Sequence, residues 1–354
     1  MVAFVISVFD QTLMGGLFGD PELRGLLSED AGLKRLLLVE AEYAEALGTV
    51  GVVDPDIASR AKTAILGAQI FNDALHRASG KDGLILPDLI RQIKEQTPSD
   101  LHPAIHTGLT SQDVMDTAQS LMLRDVTKLL SRRIEAFGQA LGGLHMSFGA
   151  NPLMGRTRMQ DALPITVGER IDTWGMPFDD HQTRLTEMSP RLLKLQFGGP
   201  VGLRDMTEGA ALNAALAKAL DLTPADKAWH VMRDGMAEFA SWLSLVSGTL
   251  GKMGTDIAIM AQQGEITITG GGSSSAMAHK QNPVRAELLT TLAAFNATQL
   301  PAMHHALRAE QERSGAMWAL EWMVLPQMIM ATGLSLNAAK SLIGDVEQIG
   351  GVIE

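Results

Sequence analysis

Cysteine is missing from this sequence altogether, which excludes a disulfide framework and any thiolate-bound metal, and makes a reducing cytoplasm the expected setting. A positive electrostatic footprint is missing too. Net charge is −11, the isoelectric point is about 5.3, and no basic run exceeds the pair Arg132–Arg133, so nucleic acid is not an expected partner. An anionic small molecule is still admissible, because a local cationic pocket can sit on an acidic surface. Aromatic residues make up only 5%, whereas methionine occurs 20 times, a composition suited to adaptable helix packing. Long apolar runs are rare. Met1–Phe9 is apolar but lacks a basic leader and is too short for an export signal. Trp322–Ala339 is uncharged over 18 residues yet holds Pro326, Gln327 and Asn337, so a buried bundle helix is expected rather than a membrane span.

What is present is helical patterning, in a chain of 354 residues that can bury a large core. Asp20-Pro21-Glu22 and Asp54-Pro55 read as helix starts, with an acidic N-cap and proline at the first position. Gly32–Leu47 reads as an amphipathic helix stopped at Gly48, and Ser79–Asp82 and Pro98–Pro103 as breaks. From Ser111 to Gly149 there is no proline, and Leu130, Ile134, Phe137, Leu141, Leu144 and Phe148 step by four and three. The longest seam runs within Ala225–Gln263: Met232, Met236, Phe239, Leu243, Val246, Leu250, Met253, Ile257 and Met260. At about 1.5 Å per residue that helix would be roughly 55–60 Å long. Trp242, Leu245 and Ile259 lie off the seam, so the helix is expected to be covered on more than one side, by other subunits. Ala286–Met303 and Gly315–Leu342 supply further long helices. The fold class is mainly α: a small helical N-terminal domain (residues 1–105), a central long-helix bundle completed by oligomerisation (106–345) and a short tail (346–354).

Four stretches carry candidate chemistry. His106-Thr-Gly-Leu-Thr-Ser-Gln-Asp113 precedes the first long helix, which Thr110 and Ser111 could simply cap. Gly155-Arg-Thr-Arg-Met-Gln-Asp-Ala-Leu-Pro-Ile-Thr-Val-Gly168 has a polar half that a surface turn would also explain. Trp229-His-Val-Met-Arg-Asp234 flanks the longest seam, where His230 could be structural. The fourth, Gly270–Glu287, is GGGSSSAMAHKQNPVRAE, a glycine- and serine-rich loop feeding the N-terminus of a helix at Pro283–Val284, a setting suited to carboxylates. His102/His106 and His304-His305 do not make a metal pair: Pro103 interrupts the first, and adjacent residues of the second face apart.

Together and in this order, the four stretches resemble the fumarase/aspartase superfamily, which includes adenylosuccinate and argininosuccinate lyases. Ser273–Pro283 matches its loop signature GSSxMPxKxNP, with Ser273 for the leading glycine and Ala278 for the proline, and the resemblance covers about residues 10–345. It implies a homotetramer around a core of long helices, active sites shared between subunits, and no metal or organic cofactor. A third small domain usually follows the core helices, so either it is absent here or the chain is shortened. The resemblance also implies roles. Ser274 is the loop proton-transfer residue, His106 a second candidate for proton transfer, and Lys280 the main electrostatic group. Thr110, Ser111, Arg156, Thr157, Gln160, His230, Ser275 and Asn282 fall at substrate-gripping positions.

One departure selects among the members. The lyases carry a histidine after Arg-Thr in the second stretch, paired with a glutamate after the loop. Here the positions hold Arg158 and Glu287, and an ion pair between them is expected. Arginine stays protonated, with a pKa above about 12, and cannot shuttle a proton to a departing amine or hydroxide. A carboxylate partner needs no shuttle. The cycloisomerases of the superfamily likewise lack this histidine. The segment Gln311–Pro326 also looks like theirs, with its ER, G, W, EW and LP elements. The implied reaction is closure of a small anionic tricarboxylate, a carboxymuconate, to a lactone in aromatic catabolism. A fumarate-releasing lyase and a non-catalytic helical scaffold are the rival expectations.

Overall fold

The computed structural model describes residues 7–204, 206, 208–273, 277 and 281–351. Short helices come first: α1 (Gly15–Phe18), α2 (Pro21–Leu27), α3 (Glu29–Thr49), α4 (Pro55–Gly67), α5 (Asn72–Asp82) and α6 (Leu86–Glu95). Both acidic N-caps form as expected. Asp20 Oδ1 accepts from the Leu23 N–H at 3.1 Å and Asp54 Oδ1 from that of Asp56 at 2.9 Å, each with proline next in the chain.

The rest is built on α7 (Ser111–Phe148), α11 (Asp234–Gln263), α12 (Val284–His305) and α13 (Gly315–Gly344), with α8 (Val167–Gly175), α9 (Pro177–Leu192) and α10 (Gly209–Leu220) packed around them. Among the described residues, six short strands form three antiparallel pairs: β1 (Pro152–Thr157) with β2 (Gln160–Thr166), β3 (Ile266–Ile268) with β6 (Val346–Ile349), and β4 (Gly272–Ser273) with β5 (Gln281–Asn282).

The 4-3 seam of α11 is buried from Met236 to Met260, with Phe239, Leu243, Val246, Leu250 and Ile257 wholly inaccessible. The helix is shorter than expected, however. It begins at Asp234, not Ala225, and 30 residues give about 45 Å. Residues ahead of it are claimed by tertiary bonds: the Trp229 N–H donates to Gln196 Oε1 at 2.8 Å and its indole to the Leu195 carbonyl at 3.0 Å. Met232, the first seam position, is therefore outside the helix and 44% exposed.

α11 and α12 approach closely because Gly251 and Gly254 permit it. A Cβ on Gly254 would lie 2.6 Å from the Ala286 carbonyl oxygen, and one on Gly251 would lie 2.5 Å from Ala293 Cβ. Asn296, fully buried on α12, ties three helices together by donating to Ser247 Oγ (3.0 Å) and Thr332 Oγ1 (2.9 Å). α13 is long and apolar enough to span a membrane, but 67% of its most apolar stretch is buried within the protein, where Pro326 is accommodated. Two apolar cores result. One joins the long helices, and the other packs α3–α6 and α10 against Val114, Ala118 and Leu121 of α7.

Candidate active site

Thr110 is the N-cap of α7. Its N–H donates to Asp113 Oδ2 at 3.0 Å, which anchors the turn preceding the helix. Asp113 does more than cap. Oδ2 also accepts from the Gly199 N–H (2.8 Å), while Oδ1 meets His230 Nε2 at 2.8 Å. His230 is 4% exposed, so both its ring orientation and its contact with α7 are fixed. One turn further along α7 lies a second buried anion, Asp116. It receives the Arg233 guanidinium at 2.8 and 3.1 Å, the Trp318 indole at 3.1 Å and the Gln112 amide at 3.1 Å. Arg233 also clamps Glu321, at 2.8 Å through two nitrogens. Burial opposes the charged form of Arg233, but the two carboxylates more than offset it and hold the guanidinium above its usual range. Sequence reasoning passed over Asp113, Asp116, Arg233 and Glu321 as site-building residues, although all four lay in or directly beside the segments it singled out.

His106 sits just upstream, in the left-handed region at φ 59, and its Nδ1 lies 2.6 Å from Glu40 Oε1. Left-handed non-glycine residues concentrate in the motif segments: His106, Arg158, Met159 and Gln311 are four of the six among the described residues. Such backbone costs of order 1–3 kcal/mol and persists where the surroundings enforce it.

The second stretch is a β-hairpin, β1–β2, turned by Arg158 (φ 49) and Met159 (φ 65), the two-residue connection that matches strand twist. Arg156 is engaged within the chain, by Glu265 at 2.7 Å and by Asp161, so neither carboxylate leaves it free. Thr157, Arg158 and Gln160 are exposed. The expected Arg158–Glu287 ion pair is not made within the protomer. Ion pairs at this end are Arg156–Asp161, Arg156–Glu265 and Arg285–Asp345, and Glu287 is exposed in the first turn of α12. Arg158 instead stands exposed at the turn of the ribbon. The serine loop emerges from β4 and returns through β5 to the N-terminus of α12, with Asn282 half-buried at its foot. Ser274, Ser275 and Lys280 lie outside the described residues.

The predicted residues therefore form two groups. His106, Thr110, Ser111 and His230 gather at the start of α7. The hairpin follows the end of α7 and meets the loop end of the molecule through Arg156–Glu265 and the Pro152 carbonyl, which accepts from the Gly351 N–H at 3.1 Å. Between them run the 38 residues of α7, about 57 Å. A cavity of about 770 Å³ between α3, α5, α7 and α13 has a mainly apolar wall including Trp318, Trp322 and Leu325. None of the predicted site residues among those described lines it, so the chemistry is not assigned there.

Residues 85–297 match the family model described as Lyase, more than half of the chain. The chain belongs to the lyase family. Its fold is that of the fumarase/aspartase enzymes. The chain is 34% identical to 3-carboxy-cis,cis-muconate cycloisomerase of Pseudomonas aeruginosa, over 95% of its own length and 75% of that protein's. It is 32% identical to trans-aconitate decarboxylase 1 of Mycosarcoma maydis, over 92% of its length and 68% of the relative's. Among solved structures, the 3-carboxy-cis,cis-muconate lactonizing enzyme of Pseudomonas putida superposes with a TM-score of 0.88 at 32% identity, covering 96% of this chain and 77% of that one.

Proposed function

We propose that this protein is a cycloisomerase that closes 3-carboxy-cis,cis-muconate to a carboxymuconolactone, a step of aromatic catabolism. The observation that carries the reading is the composition of the hairpin. From Pro152 to Thr166 it contains no histidine, and its turn presents Arg158 where a fumarate-releasing relative needs an imidazole. The names of the two relatives add support, since 3-carboxymuconate and trans-aconitate are both unsaturated tricarboxylates.

In this reading one carboxylate oxygen of the substrate attacks the conjugated double bond of the same molecule. A C–O bond forms, and the π electrons move into the carboxylate conjugated with that bond, giving a dianionic aci-carboxylate. Lys280, aided by Asn282 and by Thr110 and Ser111 from the start of α7, stabilises that charge, and preorganised donors are worth most at such a point. One proton then reaches the adjacent carbon from Ser274 or His106, restoring the carboxylate. No atom leaves, and one proton is consumed per turnover. Arg158 neutralises a second substrate carboxylate on a protein whose net charge of −11 would otherwise repel a trianion.

The reading includes a cytoplasmic homotetramer with sites shared between subunits, because the two residue groups lie too far apart in one chain to serve one substrate. The exposed Met159 and Leu163 of the hairpin, 71% and 74% accessible, suit burial against a neighbour. Native mass spectrometry should give four times the 37.9 kDa chain, and Met159→Asp with Leu163→Asp should lower that mass while helical content is kept. A 37.9 kDa wild-type species would remove the shared site.

The deciding assay is the ultraviolet absorbance of 3-carboxy-cis,cis-muconate with and without enzyme, since ring closure destroys the conjugated diene. Loss of absorbance without release of carbon dioxide is expected. An inert diene, with fumarate released from an adenylosuccinate-type substrate or carbon dioxide from trans-aconitate, would overturn the assignment.

A further inference from the structure

Helix α3 buries Leu36, Tyr43 and Leu47 on one stripe, and the 4-3-4 spacing puts Glu40 in the same line. Glu40 is 0% exposed, a position where a carboxylate is costly unless something binds it. Its Oε1 has one partner, His106 Nδ1 at 2.6 Å, and its Oε2 is buried with no hydrogen-bond partner among the described residues. The His106 ring keeps 19% of its side-chain surface exposed. The segment that bears it is pinned from the same helix, since Tyr43 donates its hydroxyl to the Thr107 carbonyl at 2.7 Å. Burial, then the nearby Glu40 and Asp113, push the Tyr43 phenol well above its ordinary range, so it remains a donor. The backbone of His106 is left-handed, and the tether is short.

We infer that Glu40 is a positioning residue: it fixes His106 in the form that carries a proton on Nδ1, leaving Nε2 to act on substrate. A carboxylate can only accept from Nδ1, whereas an imidazole without such a partner is free to take the opposite tautomer. The kinetic part of this inference rests on the cycloisomerase reading, but the tautomer does not.

The test uses the intact oligomer and three proteins: wild type, Glu40→Leu and Glu40→Gln. Leucine suits an apolar stripe, so Glu40→Leu should melt no lower than wild type. Its kcat on 3-carboxy-cis,cis-muconate should nonetheless fall roughly 10- to 100-fold, with KM within about threefold. Glutamine still offers an acceptor oxygen, and should recover most of the loss. Magic-angle-spinning nitrogen-15 NMR of ring-labelled histidine, assigned with His106→Gln, should show Nδ1 protonated in wild type and the proton moved to Nε2 in Glu40→Leu. The inference is overturned by a wild-type ring with its proton on Nε2 alone, by the same signature in Glu40→Leu and wild type, or by an unchanged kcat in Glu40→Leu. The wild-type spectrum decides the matter even where a variant fails to fold. It does so equally where the muconate proves not to be the substrate, which separates failure of the positioning claim from failure of the functional reading.

Discussion

The two ends of α7 solve opposite problems. At its start, Asp113, Asp116, His230, Arg233 and Glu321 are each no more than 4% exposed, and the three carboxylates are all held by hydrogen bonds from at least two elements. At its far end, Arg156, Arg285 and Asp345 stay partly in water, Asp161 is largely exposed, and the hairpin holds apolar side chains out to solvent. The first end is finished within one chain. The second leaves charge and apolar surface in water, as the shared site proposed above would require.

Mutations that separate the ends should differ by several-fold in energy. Arg233→Ala leaves Asp116 and Glu321 buried without their cation. It should destabilise the fold by about 3–5 kcal/mol in urea titrations, largely because of the stranded carboxylates. Lys280→Ala, at the loop end, should spare stability but lower kcat/KM on the muconate by roughly 10²- to 10³-fold in the absorbance assay. His181 provides a pH probe between the ends. It is 3% exposed, with Nε2 3.0 Å from Thr249 Oγ1, and burial, helped by Arg184, depresses its pKa from 6.5 to about 4. The folded chain therefore resists protonation that the unfolded chain accepts. Its contribution is complete above pH 6.5 and is lost as pH falls towards 4, on the order of 3 kcal/mol at most. Urea midpoints should drop over that window, and His181→Gln should flatten the dependence. The smallest effect belongs to Arg156→Ala, because Arg156 is itself partly in water and its partner Asp161 is largely exposed: at most about 1 kcal/mol in the same titration. A loss as large as that of Arg233→Ala would show that the hairpin end is as tightly built as the other.

Much of this could be read from the residues. The seam of α11, the acidic caps with following prolines, and the helix starting after Pro283 follow from local rules, and local rules decided them. The start of α11 was not legible. Trp229–Arg233 continues the apolar rhythm, but Gln196 and Leu195, more than 30 residues away, take the Trp229 donors. Nor was β1–β2, because PLMGRT and QDALPIT alternate weakly and the turn uses Arg158-Met159 without a glycine. Arg158–Glu287 failed because motif matching aligns positions and says nothing about where each side chain stands in the fold. Glu40 had a visible signal, a carboxylate set in the line of Leu36, Tyr43 and Leu47, but its meaning required knowing that residue 106 folds back onto that face.

The length of α7 also bears on heredity. Where each reaction centre draws one group from one copy and the other group from another, a polypeptide damaged at His106 and a second damaged at Lys280 are each inert alone. Refolded or expressed together they would form hybrids in which some centres receive only sound parts, so two null alleles could restore a fraction of normal flux.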